Sequence, residues 1–284
     1  MSLNAIKLIS ELEEFPLICK CFKDYVEWLC NQPTADLEEN DLILLLRDQP
    51  TPDLAGIDLD SFRQKQKRRL QQLEDYLQKS QQLLGISEQE FCNIFGFKND
   101  LKTIDPEKIH DILAEPLLIV DLDKSGFTQI EKLPRFIKHN NHRLPNADFL
   151  AQYKGFKFAI EVKTIRTENK PKPEIGKLTC NSMIPSWWRT MFQNNIVTKI
   201  EDKKQRVLSQ LTNALKYYNC NHTMLVLYNR RLGSSTLMNC ESYREIISYI
   251  HCRYKASIDF YMVKDYFGEI VLVYPELPNL INQD

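Results

Sequence analysis

The sequence predicts an α/β protein, a mixed sheet flanked by helices and preceded by an all-helical N-terminal domain. Three observations carry this. Residues before about Asp105 show helical apolar spacing. After that point, short apolar runs such as Phe156–Ile165 and His222–Asn229 alternate with helical patterns. The charge divides at the same place: 12 Lys and Arg stand against 19 Asp and Glu up to Asp105, and 25 against 19 from Pro106 onward. The domains are accordingly expected at 1–105 and 106–284.

In the first domain, Leu3–Cys30 reads as an amphipathic helix and Leu37–Arg47 as a shorter one. A long helix follows from Asp60, with Leu70, Leu73, Leu77 and Leu84 at near-heptad spacing and Gly85 as its stop. That stripe fits packing within a helical domain. It also fits a coiled-coil seam, which leaves a homodimer or a protein partner through these helices open. Ser87–Gly96 and Pro106–Leu113 read as short helices. Glu115-Pro116 opens another, with proline in its first turn and Gly126 as its end.

In the second domain, Phe127–Ile137 reads as one strand, and "KHNNHR" after it as loop. Asp148–Gln152 and Phe156–Ile165 form a hairpin over Tyr153-Lys154-Gly155. A lysine- and proline-rich loop containing Trp187-Trp188-Arg189 follows. Lys199–Tyr218 is expected as one helix, His222–Asn229 as a buried strand, Glu241–Tyr254 as a helix, and Ile258–Tyr274 as one or two closing strands.

Composition narrows the function. The 284 residues, 26% charged and 43% hydrophobic, describe an ordinary globular protein with ample core. The apolar runs are too short to cross a bilayer, and acids interrupt the N-terminal stretch where a signal peptide needs an apolar core, so a cytoplasmic protein without a membrane partner is expected. The eight cysteines form no CxxC pair, which fits reduced thiols. Neither GxxxxGK nor GxSxG occurs, which disfavours an ATP motor and a serine hydrolase. Between Ala151 and Arg231, 15 Lys and Arg face 5 Asp and Glu, a bias that suits a polyanionic partner.

Within that basic region lies the chemistry. Side chains alternate along Phe156–Ile165, so Phe156, Phe158, Ile160 and Val162 share one face. Lys157, Ala159, Glu161, Lys163 and Ile165 share the other. Glu161 and Lys163 therefore point the same way, roughly 7 Å apart along the strand. A carboxylate beside an ammonium on a strand is most often a solvated ion pair. The surroundings argue for more: Asp148 stands across the hairpin, a helix precedes it, and a glutamine-bearing helix follows.

Asp148, the triplet Glu161-Val162-Lys163 and this order of elements resemble the PD-(D/E)xK nuclease superfamily, whose fold is restriction-endonuclease-like, over roughly Pro106 to Pro275. The resemblance implies Mg²⁺ or Mn²⁺ held by Asp148 and Glu161, with the carbonyl of Val162 as a further ligand and Lys163 positioning and activating the attacking water. It implies a further acid in the preceding helix, matched by Glu115, and a glutamine in the following helix, matched by Gln210. Pro145 precedes Asp148 by three positions instead of standing next to it, a departure from the family pattern. The expected function is metal-dependent hydrolysis of nucleic acid, with DNA the expected substrate. The alternative is a non-catalytic nucleic-acid-binding or interaction module on the same fold.

Overall fold

A computed structural model describes residues 13–22, 59–97, 108–139, 142–165, 186–202, 206–229, 240–265 and 270–277. The chain divides into two compact units, Met1–Asp121 and Leu122–Asp284. The expected boundary at 105/106, the helix Leu37–Arg47 and most of the lysine- and proline-rich loop lie outside the described residues.

The first unit is helical: α1 (residues 16–22), α2 (Leu59–Leu84), α3 (Glu88–Ile94) and α4 (Lys108–Lys124), which runs on into the second unit. Ser87 starts α3 by accepting the Glu90 N–H through its hydroxyl. Leu70, Leu73 and Leu77 are buried within the chain, so their stripe belongs to the core. Phe22, Phe91, Phe95 and Phe97 complete that core, with Phe22 and Phe97 edge to face at 5.3 Å. Glu74 is also buried here, and its two oxygens accept the backbone N–H groups of Ile18 (2.8 Å) and Leu17 (2.9 Å) in the first turn of α1.

One expectation fails in α4. Pro106–Leu113 and Glu115–Ser125 do not form separate helices, because Lys108–Lys124 is continuous with Pro116 inside it. Proline breaks one hydrogen bond of a helix, yet burial of Leu113, Leu117, Leu118 and Leu122 holds the turns together. The Ser80 hydroxyl donates to the Pro116 carbonyl. Gly126 ends the helix as expected: at φ +86 it lets the Phe127 N–H reach back to the Leu122 carbonyl.

The second unit is built on six strands in the order β1 (Thr128–Lys132), β4 (Phe149–Tyr153), β5 (Phe156–Ile165), β6 (His222–Asn229), β7 (Phe260–Asp265), β8 (Ile270–Tyr274). The pairs β5–β6 and β6–β7 are parallel, and the outer pairs are antiparallel. The mixed sheet is thus as expected. The antiparallel hairpin β2 (Phe136–His139) and β3 (His142–Pro145) forms a second, two-stranded sheet. The single strand expected over Phe127–Ile137 is therefore two. Leu133 makes the last bond on the β1 side, to the Asp148 carbonyl, and Pro134 has no N–H to continue the ladder.

Helices α5 (Ser186–Glu201), α6 (Val207–Tyr217) and α7 (Cys240–Tyr254) complete the unit. Two further corrections follow. Trp187-Trp188-Arg189 lie in α5 and not in a loop, and Lys199 belongs to α5 and not to the helix of Gln210. Arg206, at φ 55, stands at the N-cap of α6 and ends the continuous helix expected over Lys199–Tyr218. Phe192, Ile196 and Ile200 of α5, Leu211 and Ala214 of α6, and Tyr243 and Ile247 of α7 form one core with Ala159, Ile165, Leu225, Leu227 and Val263 of the sheet. The other sheet face carries Phe158, with Phe127, His222 and Phe260 around it at 5.2 to 5.6 Å between ring centres.

Strand β5 holds a discontinuity that makes the site. Its partner β4 pairs only with Phe156–Ile160, while β6 pairs with Phe158–Ile165. Beyond Ile160, no described strand lies on the β4 side of β5.

Candidate active site

Asp148 sits at this gap. Its N–H donates to the Ile160 carbonyl at 3.0 Å, the last bond of the β4–β5 ladder. Its carboxylate then replaces the missing strand: Oδ2 accepts the Val162 N–H at 2.8 Å. In an extended strand the N–H and C=O of one residue leave the same edge, so the Val162 carbonyl points to the Asp148 side as well. Phe149 already faces Ile160, so the Asp148 bond to that same residue steps out of the regular register, and it is the Val162 contact that fixes where the Asp148 carboxylate lies.

Glu161 is fully buried on the helix-covered face, between Ala159 and Ile165, which pack against α5–α7. Its Oε1 accepts from Lys163 Nζ at 2.5 Å, and its buried Oε2 has no hydrogen-bond partner among the described residues. Burial raises its pKa well above the usual carboxylate range, and the neighbouring negative charge of Asp148 raises it further. Lys163 and then Lys132 oppose that rise only in part. A buried carboxylate oxygen left without a partner is destabilising by several kcal/mol in order of magnitude.

Gln210 lies on α6 and is tied to the same corner, for its Nε2 donates to the Asn146 carbonyl at 3.0 Å. Its Oε1 is buried and has no hydrogen-bond partner among the described residues. The structure thus gathers Asp148, Glu161 and Lys163 at the gap and anchors Gln210 to the segment leading into Asp148. Glu115 is half-buried in α4 and falls in the first unit. Among the described residues no three His, Cys, Asp or Glu side chains form a metal-holding group, and the acids gathered at the gap are Asp148 and Glu161.

Two participants were not legible in the sequence. Lys132, at the end of β1, brings Nζ to 3.4 Å from Asp148 Oδ1 and lies 4.8 Å over the Phe149 ring. Only the pairing Lys132–Phe149 reveals that proximity. Asn146 is buried, donating to the Pro134 carbonyl (2.8 Å) and the Tyr218 hydroxyl (3.1 Å) and accepting from the Ala147 N–H (3.0 Å). It fixes the approach of the chain to Asp148. "NAD" before an apolar strand carried a weak hint, since a buried Asn in such a place is usually a turn clamp.

The groups that could serve a cation here are all oxygens: the Asp148 carboxylate, Glu161 Oε2, the Val162 carbonyl and Gln210 Oε1. That chemistry fits a hard divalent cation, which keeps several waters and needs few carboxylates. No family model matches the sequence, and comparison with curated proteins and with solved structures finds no match either.

Proposed function

We propose that the second unit is a metal-dependent nuclease that hydrolyses phosphodiester bonds of DNA with Mg²⁺ or Mn²⁺. The observation that carries this reading is Glu161: a fully buried carboxylate with one oxygen left without a partner, beside Asp148 and Lys163. A stability role alone would be served better by an apolar side chain at that position. Asp148 and Glu161 would hold the cation, with the Val162 carbonyl and Gln210 Oε1 as neutral donors. Bound there, the cation would offset charge on the phosphate and acidify a water enough to attack it. Lys163, whose Nζ lies 2.5 Å from Glu161 Oε1, would orient the incoming water and offset charge on the reacting phosphate. Lys132 balances Asp148 from the other side, so the two acids tolerate proximity in the metal-free protein.

The test is cleavage of single- and double-stranded DNA and RNA in Mg²⁺, in Mn²⁺ and in chelator, by the wild type and by Asp148→Asn. Cation-dependent cleavage of DNA that the variant loses is expected. Cleavage that persists in chelator, or an Asp148→Asn protein that cuts at the wild-type rate, would sink the reading. A protein that binds nucleic acid without cutting under any cation would restore the non-catalytic alternative.

A further inference from the structure

The hairpin β2–β3 grows from the base of the site, and its composition is lopsided. From Leu133 to Ala147 the chain carries Arg135, Lys138 and Arg143, with His139 and His142, and no acid at all. Register and burial assign its faces. Ile137 is buried, while Phe136, Lys138 and Arg143 are exposed and lie on the opposite face by parity. Lys138 and Arg143 are direct cross-strand partners. Like charges set opposite each other repel, and neither has a carboxylate partner among the described residues. An anion against this face would remove the repulsion.

The base of the hairpin is fastened. The Asn146 N–H donates to the Arg135 carbonyl at 3.3 Å, Asn213 of α6 donates to the Pro145 carbonyl at 2.9 Å, and Gln210 donates to the Asn146 carbonyl at 3.0 Å. The same two-residue step, Asn146-Ala147, leads into Asp148. Arg143 is five residues from Asp148, at most about 18 Å of extended chain. One DNA strand covers that distance in about five nucleotides.

We propose that β2–β3 is a duplex-DNA-binding arm, in which Lys138 and Arg143 neutralise backbone phosphates on one side of the bond presented to Asp148 and Glu161. A two-stranded ribbon is of a size the major groove of B-form DNA admits, whereas the deep, narrow major groove of A-form RNA excludes it. The exposed Phe136 ring gives the same face an apolar contact surface. This deepens the nuclease reading and rests on it for the position of the scissile bond. The binding claim itself does not depend on hydrolysis.

The experiment is therefore run in chelator, where no cutting occurs. Binding of the full chain to a labelled random-sequence DNA duplex is measured by fluorescence anisotropy between about 50 and 200 mM salt. Wild type, Lys138→Gln/Arg143→Gln, Lys138→Arg/Arg143→Lys and the control Arg244→Gln/Lys255→Gln are compared. Each phosphate contact contributes about 0.9 to the slope of log K against log salt, so the glutamine pair should be shallower by about 1.8. The charge-preserving swap and the control should keep the wild-type slope. Unchanged binding by the glutamine pair would overturn the arm while leaving a cleaving enzyme intact. Absence of any duplex binding by the wild type would overturn it too, as would an equal loss in the control. Absence of cation-dependent cleavage by the wild type in the separate cleavage assay, with the slopes as expected, would count against the nuclease reading and leave the arm standing. Circular dichroism of each variant confirms that it is folded, and a misfolded glutamine pair is replaced by Lys138→Met/Arg143→Met.

Discussion

Each unit buries a glutamate, and the two are treated in opposite ways. Glu74 in the helical unit is 2% exposed, and both its oxygens are used: Oε1 accepts from the Leu17 N–H and from Gln78 Nε2, and Oε2 accepts from the Ile18 N–H. It serves the N–H groups that open α1 and have no partner within that helix. Glu161 in the sheet unit is 0% exposed and has one oxygen on Lys163 and one on nothing. Burial alone therefore says little about a carboxylate. The difference between the two lies in their partners, since both Glu74 oxygens accept hydrogen bonds and Glu161 Oε2 accepts none from the described residues.

That contrast can be broken by experiment, and the largest expected effect is on turnover. Glu161→Gln and Asp148→Asn should each lower cation-dependent cleavage on the order of a thousandfold while the protein stays folded. Asn is the cleaner change at position 148, because its side-chain oxygen still accepts the Val162 N–H. A Glu161→Gln protein that cuts normally would show that the unpartnered oxygen is incidental.

Next in size is the loss of Glu74. Glu74→Ala strips the partners from two buried backbone N–H groups and should lower the unfolding free energy by about 3 kcal/mol. Urea unfolding would measure it, and an effect under about 0.5 kcal/mol, typical of a surface change, would undo the capping role. Glu161→Gln should leave metal-free stability unchanged or higher, since it deletes a buried charge.

Cation linkage should be comparable. Mg²⁺ or Mn²⁺ at a hundred times its dissociation constant should stabilise the wild type by about 2.7 kcal/mol and leave Glu161→Gln nearly unmoved. Thermal unfolding with and without chelator reads this directly. Equal stabilisation of both proteins would place the cation elsewhere.

The smallest effect is on pH dependence. The folded pKa of Glu161 stands well above its ordinary 4.5, so between the two values the folded chain keeps a proton that the unfolded chain has released. Its contribution in chelator is thus full below 4.5 and is lost as pH rises through the folded value. Stability should fall with rising pH across that window, and Glu161→Gln should flatten the fall. A wild-type profile that climbs there, and keeps climbing in the variant, would contradict the assignment.

Much of the sheet unit was legible in the sequence because a period of two leaves no freedom once one face is apolar. Strand parity alone put Glu161 and Lys163 together, and β4, β5, β6 and α7 lie within a residue or so of their expected limits. The rest lacked a local signal. In α5, "SWWRTMFQNNIVTKIE" spreads its apolar residues around the whole helix, so no amphipathic stripe distinguished it from the preceding loop. The strands β2 and β3 are four residues each and half polar, too short for periodicity to register. Lys132 and Asn146 matter only through pairings across the fold, which no window along the chain contains.

The early end of β4 has a consequence of another kind. Because the ladder on that side of β5 stops at Ile160, the segment Pro134–Pro145 leaves and rejoins the sheet without pairing with β5. Apart from the buried Ile137, and the buried Leu133, Asn146 and Ala147 at its ends, its length and composition are free to change while the strand carrying Glu161 stays in register. The sheet is in effect a socket with an exchangeable fitting. Grafting a different hairpin between Leu133 and Asn146, with the Asn146 clamp retained, should change where on a polymer the protein settles without rebuilding the acids below it.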